Sequence, residues 1–448
     1  MRKKKEEKYM STSAILGLIF LALTVISFML EKIPLAVTAL ISSLLYALFI
    51  PEVTLSTAYS GWSATTVLMV MGMMVVGDSL FQTGMAEKIG SRLTKSSIAK
   101  NERVFTVVIC ALCTLLSAFL SNSGCIAMMM PLIGAAVVES SGKLNNKRIV
   151  MPAAIGCAIG GGATLVGSTS QLTANGVLQK LEGFEDGLGL FDMTKGMLPL
   201  CIIMLIYFAT IGYTILKKVF PVDDSHFPEK QSEDGKEIPA WKGYLSVATL
   251  LLCVIGFVLT GYQPFKNWFN VGIIGMIGMA ILTATNVMPL KPTLRNLDWN
   301  TLMILAMAQG FASGVDKSGA GSVIANGILN LFGGQTASYV AQMIAGILVN
   351  TVLTQFMSNT ALAAMMTPIY IEIAKLMGIS PIPFVIMIAC ATNIACATPV
   401  GTPCLTQAMP TGYKYMDYMK VGGPLFLILV AAACILFPVI YPSVPFAW

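Results

Sequence analysis

Apolar runs of roughly 18 to 22 residues recur from one end of the chain to the other. They lie near 12–30, 33–50, 63–81, 149–178 and 197–216, and after a hydrophilic interval near 243–261, 270–288, 300–315, 382–409 and 421–441. About 20 residues of helix cross a bilayer. The pattern therefore predicts an all-α polytopic membrane protein with about 10 transmembrane spans. Two further apolar segments, 104–139 and 338–376, are too long for one crossing and polar at the centre, which fits two re-entrant helical hairpins.

The hairpin centres read almost alike. Ser121-Asn122-Ser123-Gly124-Cys125-Ile126-Ala127-Met128-Met129-Met130-Pro131 and Ser358-Asn359-Thr360-Ala361-Leu362-Ala363-Ala364-Met365-Met366-Thr367-Pro368 match at six of eleven positions. Polar clusters at membrane depth have no water to bond and must bond something else. Trp62 and Trp299, Gly84 and Gly321, Ser117 and Thr354, Ser121 and Ser358, and Pro131 and Pro368 are each 237 positions apart. An odd number of spans per half then implies two inverted repeats, an architecture of secondary transporters. On this reading residues 1–216 form the first repeat, 217–242 a charged linker and 243–448 the second.

Each half carries a second irregular element beyond its hairpin. Gly160-Gly161-Gly162-Ala163-Thr164-Leu165-Val166-Gly167-Ser168-Thr169-Ser170-Gln171 and Ala397-Thr398-Pro399-Val400-Gly401-Thr402-Pro403-Cys404 share T-x-V-G-[S/T] at an offset of 234. Glycine and proline there predict local unwinding, tolerated at membrane depth only where the backbone is buried or lines a cavity. Close helix packing is the competing reading of the triple glycine. Carbonyls and hydroxyls at such breaks can hold a cation, and free N–H groups at a helix start can hold an anion beside it.

Composition agrees with the pattern, at 56% hydrophobic and only 11% charged. The first apolar run follows Arg2, Lys3, Lys4 and Lys5, but no small-residue cleavage site follows, so it reads as a span and not a signal peptide. All ten cysteines fall in apolar segments and read as packing residues. Cys110 and Cys113 make one C-x-x-C with no second pair, and the lone His226 is in the linker. The net charge of +6 sits mostly in loops and near helix ends, which bears on orientation and calls for no nucleic acid. An outside N-terminus places most of the 28 Lys and Arg on the cytoplasmic side, although the basic start itself favours the opposite sense. No enzyme constellation is visible: there is no H-E-x-x-H, no Cys-His pair and no phosphate-cradling loop before a lysine.

Three carboxylates need separate readings. Asp78, in an apolar span, is a functional candidate by default, but near the span's end it reads as a structural group reaching interfacial water; its repeat equivalent is Val315, with Asp316 next. Glu139 and Glu372 read as solvated ends of the second hairpin arms. Neither motif contains Lys or Arg. An anion held there by hydroxyls, amides and helix starts needs nearby cations to offset its charge.

At these residues the chain resembles the divalent anion/sodium symporter family, related to solute carrier family 13, which carries a Ser-Asn-Thr motif at each of two hairpin tips. The resemblance covers nearly the whole chain. It implies a homodimer in the bilayer of the cell membrane, an elevator motion, two co-transported sodium ions and no organic cofactor. By position, Ser117, Ser121, Asn122 and Gly167 would form one sodium site, and Thr354, Ser358, Asn359 and Gly401 the other. The small-molecule anion would touch Asn122, Ser123, Asn359, Thr360, Thr402 and Pro403. Ser123 stands where the family has Thr, Ser168-Thr169-Ser170-Gln171 replaces a Thr-Pro-Pro-Asn-like run, and Cys404 replaces a second proline. Unusual substrate choice is therefore expected around Ser123 and Ser168. The expected function is sodium-coupled symport of a dianion such as succinate, malate or fumarate; the alternative is a sodium-independent exchanger or permease for citrate, sulfate or another anion.

Overall fold

The computed structural model describes residues 11–30, 32–85, 88, 101–140, 143–221, 239–259, 265, 268–331, 338–356, 358–399 and 401–448. The N-terminal lysines, most of the connection 82–103, His226 and most of the linker 217–242 lie outside the described residues, as does the side chain of Glu139.

The described residues are helical, with only an isolated bridge between Ile379 and Pro445. Before the linker come α1 (Thr12–Leu30), α2 (Leu35–Phe49), the short α3 (Leu55–Tyr59) and α4 (Thr65–Gln82). The first hairpin follows as α5 (Glu102–Ser117) and α6 (Asn122–Glu139), then α7 (Asn146–Gly160), α8 (Thr169–Leu178), α9 (Thr194–Ala209) and α10 (Ile211–Val219). After the linker the order recurs as α11 (Ala240–Leu259), α12 (Val271–Ala284), the short α13 (Leu290–Asn296), α14 (Trp299–Lys317) and α15 (Ala320–Leu331). The second hairpin is α16 (Tyr339–Leu353) and α17 (Asn359–Met377), followed by α18 (Ile382–Ala391), α19 (Pro403–Ala408) and α20 (Tyr415–Ile440).

Four described helices, Leu55–Leu80 (taken through the short break after α3), Ala240–Phe257, Asn359–Met377 and Tyr415–Ile440, are long and apolar enough to cross a membrane. A fifth crossing comes from α9 and α10 if that pair, bent by 53°, is one span. Shorter apolar helices lie at four of the other expected positions, Thr12–Ser27, Leu35–Phe49, Val271–Ala284 and Ile382–Ala391, while α7 and α14 overlap 149–178 and 300–315. On α20 the large side chains Leu427, Ile435 and Val439 are exposed. They follow helical spacing, so a lipid-facing stripe accounts for them where a water-facing one would be unfavourable. This is a multi-pass membrane protein.

Small residues set the closest helix crossings. A Cβ added at Gly72 on α4 would lie 2.1 Å from the Gly275 carbonyl oxygen on α12, so only glycine permits that approach. Polar groups between α1 and α2 bond one another: Thr24 with Ser42 at 2.7 Å, and Ser27 with Thr38 at 2.8 Å. At the base of the first hairpin Arg148 pairs with Glu102 at 3.0 Å and donates to the Phe220 carbonyl at 2.8 Å and the Pro221 carbonyl at 2.9 Å. These bonds tie the first residues of the linker to the hairpin.

Two details differ from the sequence reading. Gly84, with φ of 68°, ends α4 in a left-handed turn, and its counterpart after α14 is Gly319, φ 79°, not Gly321, which is helical in α15. The spacing thus slips by two residues at that turn. Glu372 is no solvated end: it is buried and pairs with Lys375 at 2.7 Å, while Lys375 also holds Asp316 at 3.0 Å.

Candidate transport site

Both predicted unwound segments are present. The first span breaks after α7 into a short 3-10 turn, Gly161–Ala163, and resumes as α8 at Thr169. The other breaks after α18 and resumes as α19 at Pro403. The helices beyond the breaks interlock the two halves, because α8 packs against α17 of the second hairpin and α19 against α6 of the first.

The breaks are fastened to the hairpins by matching bonds. Thr164 donates to the Ala118 carbonyl and Thr398 to the Gln355 carbonyl. Ser117 Oγ lies 2.5 Å from Asn122 Oδ1 and 2.8 Å from the Cys157 carbonyl oxygen. Thr354 Oγ1 repeats this, 2.6 Å from Asn359 Oδ1 and 2.8 Å from the Thr392 carbonyl oxygen. A hydroxyl has one proton, so Ser117 and Thr354 can each donate to only one of their two oxygen neighbours at a time.

The glycines complete each cluster. A Cβ at Gly167 would lie 2.4 Å from the Gly161 carbonyl oxygen, 2.8 Å from that of Ser117 and 2.9 Å from that of Ala118. At Gly401 it would lie 2.3 Å from the Thr354 carbonyl oxygen. At Gly161 it would lie 2.2 Å from Asn122 Oδ1, and at Gly160 2.4 Å from the Thr114 carbonyl oxygen, so the triple glycine serves both the break and close packing.

A cavity of about 460 Å³ opens in front of these clusters. Its wall holds Asn122, Ser123, Ser168, Asn359, Thr360, Thr402 and Pro403, together with Ser121, Ser358 and Gly167. Ser117, Thr354 and Gly401 lie behind that wall, joined to it through Asn122, Asn359 and the breaks. Ser121 Oγ accepts from the Gly124 N–H at 3.1 Å and so caps α6, whereas Ser358 makes no such cap on α17. The starts of α6, α8 and α17 all face the cavity, and their free N–H groups favour an anion there.

Sequence reasoning missed several wall residues. Asp78 lines the cavity together with residues of both hairpin tips, a placement the sequence reading of a span-end carboxylate did not anticipate. Its neighbour by repeat, Asp316, is instead held by Lys375. Asp298 also lines the cavity, and no Lys or Arg does among the described residues. Thr169 Oγ1 meets Thr360 Oγ1 at 2.5 Å, and Asn393 Nδ2 donates to Ser170 Oγ at 3.0 Å. The run 168–171 held the signal for Thr169, but its partner on the other half could not be read from spacing.

Interlocked halves, paired breaks and a polar cavity among lipid-facing helices define a membrane transporter. The chain matches the citrate transporter family model (CitMHS) over residues 25–369 and 266–447, and it belongs to that family. It is 27% identical to the uncharacterized transporter YfbS of Escherichia coli, over 48% of this chain and 34% of that protein. It is 24% identical to a sodium-dependent high-affinity dicarboxylate transporter of Caenorhabditis elegans, over 93% of this chain and 81% of that one. Among solved structures, Neisseria gonorrhoeae MtrF superposes with a TM-score of 0.59 at 14% identity, covering 98% of each chain, a likeness of fold.

Proposed function

We propose that the chain is a secondary active transporter that couples inward sodium movement to symport of a C4-dicarboxylate dianion. Ser117, Asn122, Gly167 and the carbonyls around them hold one sodium ion; Thr354, Asn359 and Gly401 hold the other, with Ser121 and Ser358 at the two tips. The dianion lies between the tips, against Asn122, Ser123, Ser168, Asn359, Thr360, Thr402 and Pro403. The two halves act as inverted repeats within a homodimer, and the loaded site crosses the membrane by an elevator motion. The resemblance of the tip motifs supports these last features.

One observation carries this reading: the same cluster of a hydroxyl, an asparagine side chain and a main-chain carbonyl recurs in both halves behind one cavity. The cavity wall adds Asp78 and Asp298 and no basic group among the described residues, so an anion binds there only with cations beside it. At about 4 Å and an effective dielectric of about 20, a cation and an anionic oxygen attract by roughly 4 kcal/mol before desolvation. Sodium and the anion thus strengthen each other's binding, and in this reading sodium enters first and completes the anion site. The sodium-dependent dicarboxylate relative points to the same cargo class.

The family description favours a second cargo, citrate, on the same site. Calorimetry on the purified protein separates the cases: succinate should bind with sodium present and not with choline, and citrate or sulfate should compete weakly. Tight citrate binding that ignores sodium, with uptake only into liposomes preloaded with a counter-anion, would establish the exchanger instead.

A further inference from the structure

The C-x-x-C pair at Cys110 and Cys113 is split by the fold, and Cys113 joins two cysteines distant in sequence. The Sγ atoms of Cys113, Cys125 and Cys157 all lie within 4.8 Å of one another. Each comes from a different helix, α5, α6 and α7, and all three residues are fully buried. We propose that these three thiols form a binding site for a soft d10 cation of the Cu(I) class, directly behind the first hairpin tip.

The ligand set selects the ion. Three sulfurs with no carboxylate or imidazole in the cluster suit soft cations, whereas sodium prefers the oxygen clusters already described. Structural zinc takes four ligands, and this cluster offers three. No electron transfer is involved: the thiolate is the metal-binding form of cysteine, so each thiol that ligates Cu(I) exchanges its S–H bond for a copper–thiolate bond and gives its proton to water.

The site is joined to the tip by short links. Cys125 Sγ lies 3.7 Å from the Cys113 carbonyl oxygen, within one pair of hairpin arms. The Cys157 carbonyl oxygen lies 2.8 Å from Ser117 Oγ, and Cys113 sits one turn before Ser117 on α5. Asn122 and Ser123, three and two residues before Cys125, line the cavity. The second half offers Asn350 and Leu362 at the 237 offset, and Thr392 where its carbonyl takes the place of that of Cys157, so the repeat does not impose the cluster.

Anaerobic titration of the purified full-length protein with Cu(I) against a competing copper chelator tests the site without any cargo, so its failure is separate from failure of the transport reading. Wild type should retain one equivalent, release protons as copper binds, and show three sulfur neighbours by X-ray absorption. Cys125→Ala and Cys157→Ala should each weaken retention at least tenfold, and Cys253→Ala, a buried cysteine elsewhere, should leave it unchanged. Where an alanine variant fails to give a monodisperse protein, Cys113→Ser replaces it with the same expectation. No retention by wild type, or equal retention by wild type and well-folded cluster variants, overturns the proposal.

Discussion

Thr169 Oγ1 and Thr360 Oγ1 lie 2.5 Å apart across the cavity, one hydroxyl from each side of the linker. Thr360 belongs to the second tip and Thr169 to the first turn of α8, so this bond aligns the tip with the opposite break. Thr169→Val should raise the KM for dicarboxylate up to about tenfold, since a net hydrogen bond contributes about 0.5–1.5 kcal/mol. Its sodium dependence should be unchanged. Uptake kinetics at fixed sodium check this, and an unaltered KM would remove Thr169 from the site.

Ser117→Ala and Thr354→Ala should each weaken sodium activation of uptake by roughly tenfold while leaving the folded protein intact, because each deletes one oxygen of a three-oxygen cluster. Thr354→Ser, which keeps the hydroxyl, should restore near-normal activation. Sodium titration of uptake reads the difference. Equal loss in Thr354→Ser and Thr354→Ala would assign Thr354 to packing.

Gly167→Ala and Gly401→Ala place a methyl 2.4 Å and 2.3 Å from carbonyl oxygens that line the breaks. Overpacking of this kind costs about 1–3 kcal/mol, enough to displace the carbonyls and abolish sodium-dependent uptake. Gly423→Ala on α20 meets nothing within 4 Å and serves as the control. Thermal stability and uptake of the three variants separate a local from a general effect. Full activity in Gly401→Ala would show that the second break does not carry a cation.

Ser123 and Ser168 both line the cavity. Ser123→Thr adds one methyl to the first tip and should shift the preference among succinate, citrate and sulfate by severalfold without changing sodium activation. Competition against labelled succinate measures it. An unchanged profile would place selectivity elsewhere on the wall, with Asp78 the next residue to vary.

Much of this site was legible because polar residues inside apolar spans must be bonded to something. The tip motifs, the two glycine breaks and their near-constant offset all follow from that constraint, and the helices end where the polar runs begin. What depends on the rotation of one helix against another was not legible. Asp78 faces the cavity because α4 packs against α8 and α6, which spacing along α4 alone does not reveal. Glu372 looked like a solvated end, but it is buried and pairs with the partly exposed Lys375 one turn on. The three-thiol cluster joins residues from three helices, and the slip from Gly321 to Gly319 shows how a turn can shift an otherwise constant register.

The central claim, that sodium drives the anion through this cavity, is tested most directly by accumulation of labelled succinate in proteoliposomes under an imposed inward sodium gradient. The account predicts uphill accumulation that collapses when the gradient is dissipated and is lost in the Asn122→Ala, Asn359→Ala double variant. Equal uptake with choline in place of sodium would contradict it.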